Sequence, residues 1–110
     1  MFLFVETTDI KDMEKISKIL SELNKHDINK FLSELLTNSE AETLSKRWRI
    51  MQMLAESNHT QREIAKDLGV SLCKVTRGAK ILKTPNSISK KILERENHAK
   101  HNTKQKQHHS

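Results

Sequence analysis

The chain has 110 residues, 35% of them hydrophobic and only 4% aromatic, with a formal net charge of +6. That is the size of one ordinary domain, and its core must be built mainly from Leu, Ile and Met. A single cysteine, Cys73, excludes an intrachain disulfide and points to a reducing compartment.

The charge is divided unevenly. Residues 1–56 carry 8 basic and 10 acidic side chains, and residues 57–110 carry 12 and 4, so the halves are −2 and +8. No long apolar stretch accompanies the basic half, which therefore suits a phosphate-bearing partner better than a membrane. The opening MFLFVETTD has no positive n-region and reaches Glu6 after a few apolar residues. It reads as neither a signal peptide nor a spanning helix, and a cytoplasmic location is expected.

In chain order, Thr8 or Asp9 is expected to cap a first helix whose apolar face is Ile10, Met13, Ile16, Ile19, Leu20 and Leu23. Asp27 is expected to cap a short second helix that buries Ile28, Phe31, Leu32, Leu35 and Leu36. Thr37 with Glu40 forms a capping box opening a longer helix. One strip of it is Ala41, Leu44, Trp48, Met51 and Ala55, and a second is Ile50, Met53 and Leu54, so it needs cover on more than one side. Trp48 is assigned to the core or to a dimer contact.

The segment HTQREIAKDLGVSLCKVTRGAK, His59–Lys80, has the pattern of a helix-turn-helix. Thr60 with Glu63 makes a second capping box, Ile64, Ala65 and Leu68 share a face, and Gly69 follows where a helix ends with positive φ. Val70 plugs the turn, Ser71 is placed to cap the next helix, and Leu72, Val75 and Ala79 give that helix a buried side. Cys73, Lys74, Thr76, Arg77 and Lys80 are then outward or flanking. Small Ala65 allows the two helices to cross closely. Gly78 breaks the pattern, because a glycine inside a helix costs about 1 kcal/mol against alanine. It requires either close backbone packing or space for a ligand beside the helix.

Thr84-Pro85 ends that helix, and Ser87 can cap a last one carrying Ile88, Ile92 and Leu93. Residues 98–110 have no apolar face and are expected to be a disordered basic tail following a single domain over 1–97. His98, His101, His108 and His109 have no acidic or cysteine partner to fix a metal geometry, so no metal site is assigned. No nucleophile is paired with a histidine by spacing, and no catalytic residue or enzymatic activity is expected.

From about Phe31 to Pro85, through LLTNSEAETLSKRWRI, TQREIAKDLGVS and VTRGAKILK, the sequence resembles the bacterial tryptophan (Trp) repressors. The TRG of the recognition helix and the upstream LLT and KRWRI fall at the family's distances. The resemblance implies an all-α, intertwined homodimer with a helix-turn-helix over 60–83, acting as a repressor on a double-stranded DNA operator with L-tryptophan as corepressor. Carried over by position, Arg47 and Arg77 sandwich the indole, and Gly78 is where the ring approaches the backbone. Carbonyls near Glu34 and Leu36, with Thr37, receive the ligand ammonium. The matching DNA contacts are Gln61, Arg62, Leu72, Cys73, Lys74 and Thr76, with Arg62 placed to meet a guanine edge. Two positions depart from the pattern. Ile81 replaces a serine that helps hold the ligand's amino group, and Lys74 replaces a threonine at a DNA-facing site. The alternatives are a related DNA-binding regulator with another ligand or none, and a helical module that docks on a protein.

Overall fold

A computed structural model describes the backbone of residues 2–56 and 58–109 and the side chains of 10–56 and 58–99. Among the described residues there are six α-helices and no strand: α1 Phe2–Glu22, α2 Lys25–Leu35, α3 Asn38–Ala55, α4 Gln61–Leu68, α5 Leu72–Lys83 and α6 Ile88–His109. None is long and apolar enough to cross a membrane. The chain divides into two units, residues 1–41 and 42–110.

In the first unit, α1 begins at Phe2 and runs through Thr8 and Asp9, so neither is its cap. A capping-type residue starts a helix only where the backbone before it turns away, and here the backbone stays helical. The second helix is also capped differently from the expectation. Asn24 is the N-cap, with its side-chain oxygen accepting the Asp27 N–H at 2.9 Å, and Asp27 lies in the first turn. That carboxylate still favours the helix by its position at the positive end of the backbone dipoles. At the end of α2 the Leu36 N–H returns to the Leu32 carbonyl. The Thr37–Glu40 box then opens α3 with both bonds formed: Thr37 N–H to Glu40 Oε1 at 2.9 Å, and Glu40 N–H to Thr37 Oγ1 at 3.1 Å. No described side chain of this unit is buried. Ile10, Met13 and Ile19 of the expected apolar face are exposed, and Ile16, Leu20 and Leu23 are half-covered.

The second unit holds the core. Ile50 and Met53 of α3, Ile64 of α4 and Val75 of α5 form one buried cluster, with Leu54, Ala65, Leu68 and Val70 packed against it. Ile64 and Val75 are wholly removed from water, a burial that stabilises by about 1.5–3 kcal/mol for a side chain of this size. On α3 the buried residues are Ile50, Met51 and Met53, whereas Leu44 is exposed and Trp48 half-buried. The first expected strip is thus covered fully only at Met51, and the second is covered at Ile50 and Met53.

Pro85 ends α5 as expected, with Thr84 extended at φ −65° and ψ 136°. Asn86 follows at φ 62°, in the left-handed region that asparagine tolerates better than most residues. Ser87 Oγ then accepts the Lys90 N–H at 3.2 Å and starts α6, which packs on α5 and buries Leu93. α6 continues as helix to His109. Lys, Gln and Ala are adequate helix formers, so a helix anchored by Ile92 and Leu93 can propagate without an apolar face. His98 is exposed, and His101, His108 and His109 lie outside the described side chains.

Candidate nucleic-acid interface and ligand face

The helix pair α4–α5 is built by local signals at each end. Thr60 is extended, at φ −77° and ψ 160°, and its Oγ1 accepts the Glu63 N–H at 3.1 Å. The second half of the expected box takes another form: the Thr60 hydroxyl donates to Glu63 Oε1 at 3.1 Å. The carboxylate is still fixed over the first turn of α4. At the other end Gly69 is left-handed, at φ 63° and ψ 39°, with its N–H directed to the Lys66 carbonyl and the Val70 N–H to Ala65. Nothing lies within 4 Å of where a Gly69 Cβ would sit. Backbone conformation, not crowding, is therefore what selects glycine there.

Ser71 occupies the N-cap of α5 in extended geometry but makes no side-chain cap bond. The Lys74 N–H goes instead to the Ser71 carbonyl, at 3.2 Å. The buried side of α5 is Val75 and Gly78. Ala79 is half-buried and Leu72 is 43% exposed, so Leu72 belongs with the outward residues and not with the core side expected for it.

Arg62, Cys73 and Lys74 are exposed as the sequence predicts, and Gln61 and Thr76 are half-buried. Leu72, Cys73, Thr76, Arg77 and Lys80 line one open depression of about 350 Å³ on the outer side of α5. Three of the six predicted DNA-side residues thus share a surface with the flanking cations Arg77 and Lys80. One connection escaped the sequence reading: Thr76 Oγ1 donates to Gln61 Oε1 at 3.0 Å and links the first turn of α4 to the middle of α5. Two residues fifteen apart across a turn leave no spacing signal that would have disclosed it.

The residues assigned to a ligand are distributed over both units. Glu34, Leu36 and Thr37 lie at the α2–α3 turn, where the N–H, hydroxyl and carbonyl of Thr37 are all engaged in opening α3. In the second unit Arg47 and Arg77 are exposed, Ile81 is half-buried and Gly78 is buried. A Cβ on Gly78 would meet Ile50 Cγ2 at 3.1 Å, Leu54 Cδ1 at 3.4 Å and Met51 Cγ at 3.8 Å. Close packing of α5 on α3 is enough to account for a glycine here. Arg47 precedes Ile50 by three residues and Met51 by four, which puts it on the α3 stripe that Gly78 faces.

Comparison with known proteins gives a consistent result. A family model described as Trp repressor protein matches residues 11–97. A Trp operon repressor homolog of Xylella fastidiosa (strain 9a5c) is 45% identical over 74 residues, 66% of this chain and 80% of the relative. Homologs so named from Chlamydia caviae and Chlamydia trachomatis serovar D are each 38% identical, over 81 and 77 residues. The first match covers 74% of this chain and 77% of the relative, the second 66% and 82%. No solved structure matches. The matched span takes in α2 to α5 entire, including both capping boxes, the Gly69 turn and the Thr-Arg-Gly of α5, and on that ground this chain belongs to the Trp repressor family.

Proposed function

We propose that the protein is a sequence-specific DNA-binding transcriptional repressor of tryptophan-metabolism genes, with α4 and α5 acting as a helix-turn-helix and L-tryptophan as corepressor. The observation that carries this reading is the division of α4–α5 into two sides within a chain of this family. Ile64, Val75 and Gly78 are turned inward, while Arg62, Cys73 and Lys74 are exposed. An arginine at Arg62 fits guanine O6 and N7 through paired hydrogen bonds, and lysines on the same surface meet phosphates. The net +8 of residues 57–110 supplies the long-range attraction. The decisive experiment is a gel shift on promoter regions of the host's tryptophan genes, with and without L-tryptophan. Ligand-dependent retardation is expected, and none on any such promoter would overturn the assignment.

On the ligand side, two guanidinium planes at Arg47 and Arg77 are suited to stack on an aromatic face, and one can also hold a carboxylate. Ile81 favours a second reading, a regulator of the same family with another ligand or none, because it offers no hydroxyl to an ammonium group. Under the tryptophan reading, indole-3-propionate, which lacks that group, should bind comparatively well. A saturating ligand at a hundredfold excess over Kd stabilises by about 2.7 kcal/mol, which is visible in a thermal melt. If neither compound moves the melt at millimolar concentration, the ligand-independent reading replaces this one.

A further inference from the structure

Thr76 is the fifth residue of α5, and a threonine inside a helix commonly turns its hydroxyl back to a carbonyl one turn earlier. Other hydroxyls of this chain do so: Ser33 donates to the Asn29 carbonyl at 2.8 Å, and Thr84 to that of Lys80 at 3.0 Å. The Thr76 hydroxyl instead crosses to α4 and donates to the side-chain oxygen of Gln61, the first residue of that helix, at 3.0 Å. Both side chains are only half-buried, so the bond lies at the edge of the surface that carries Leu72, Cys73 and Arg77.

A carboxamide has one accepting end and one donating end. With its oxygen turned to Thr76, Gln61 has its NH2 as the group to offer an outside partner. Bidentate pairing with adenine needs that oxygen to turn to N6 while the nitrogen donates to N7, and so competes with the Thr76 bond. The NH2 suits a phosphate oxygen, which only accepts. We infer that Thr76 is a positioning residue for DNA binding: its hydroxyl holds the Gln61 carboxamide oxygen-inward, so that the NH2 meets a backbone phosphate and adds affinity without reading sequence. The inference rests on the DNA-binding reading above and refines it, since it removes Thr76 and Gln61 from the residues that read bases.

The test uses the full chain, the promoter duplex it binds best and a random-sequence duplex of equal length. Thr76→Val, which keeps the shape and removes the hydroxyl, should weaken binding to both duplexes alike, by about fivefold, the worth of one hydrogen bond. Thr76→Ser should restore it. In a Gln61→Ala background the valine change should cost nothing further. Gln61→Glu, which still accepts from Thr76 but offers no donor, should bind both duplexes less well than Gln61→Ala; this arm and the serine rescue decide the question if the valine variant does not fold. An equal cost of Thr76→Val in both backgrounds, or a loss confined to the best duplex, would overturn the inference while leaving DNA binding intact. Failure of the wild type to bind any duplex would overturn both.

Discussion

At Gly78 the absence of a side chain lets α5 lie close against α3. The nearest atom to a Cβ there is a methyl of Ile50, itself 2% exposed, so the neighbour has little room to retreat. Gly78→Ala should therefore be close to neutral, since about 1 kcal/mol of helix propensity offsets the tight contact. Gly78→Val adds two more methyls on the same side and should destabilise the free protein by about 1–3 kcal/mol. A ligand-free thermal melt checks this; an unchanged midpoint together with a lost response to tryptophan would show instead that the glycine serves only the ligand. The exposed residues call for a different measurement. Arg62→Ala should cost about 1–3 kcal/mol on the best operator and relax the preference at one base pair, whereas Lys74→Ala should weaken all duplexes about equally. Titrations against single-base operator variants separate the two, and equal losses on operator and random DNA for both would mean that another side chain reads the bases.

Among the elements, α4 depends most on its ends, because eight residues are too few to be helical alone. Thr60→Ala removes an acceptor from the Glu63 N–H and the hydroxyl that anchors the Glu63 carboxylate, and should cost about 1 kcal/mol. Amide exchange in the first turn of α4 should accelerate accordingly; unchanged protection would mean that packing of Ile64 alone holds the helix. This pair of helices was legible in the sequence because each boundary has its own chemical mark: a hydroxyl with a carboxylate three residues on, a glycine at positive φ, a proline after the last turn. The starts of α1 and α2 were not, since Thr8, Asp9, Asn24 and Asp27 all carry the same mark and only the path of the backbone decides among them. The exposure of Leu72 was half-visible, in that its position suited both sides of α5. The Thr76–Gln61 bond was invisible, because it depends on the crossing of two helices and not on any spacing along one.

For the molecule as a whole, the uncovered apolar surface is the ground on which we propose a second copy. Single exposed leucines are ordinary, but here Ile10, Met13 and Ile19 recur along one helix, with Leu35, Leu44 and Ile88 also uncovered and no buried side chain described in residues 10–41. A unit of that kind does not bury enough area to offset the entropy of ordering it. We expect a homodimer in which these faces are covered, and folding that is inseparable from association. The melting midpoint should then rise with protein concentration, because dissociation and unfolding are one equilibrium. A midpoint independent of concentration, or a folded monomer in sedimentation at micromolar concentration, would refute the dimer. Two-fold symmetry carries over to the operator: dimeric helix-turn-helix proteins, Trp repressors among the standard examples, occupy half-sites about 34 Å apart, so protected bases should form a palindrome at that spacing. Each phosphate neutralised by the basic half releases a counterion, and the logarithm of the affinity should fall steeply and linearly with the logarithm of salt concentration. A flat salt dependence would point away from DNA and toward a protein surface as the partner of the basic half.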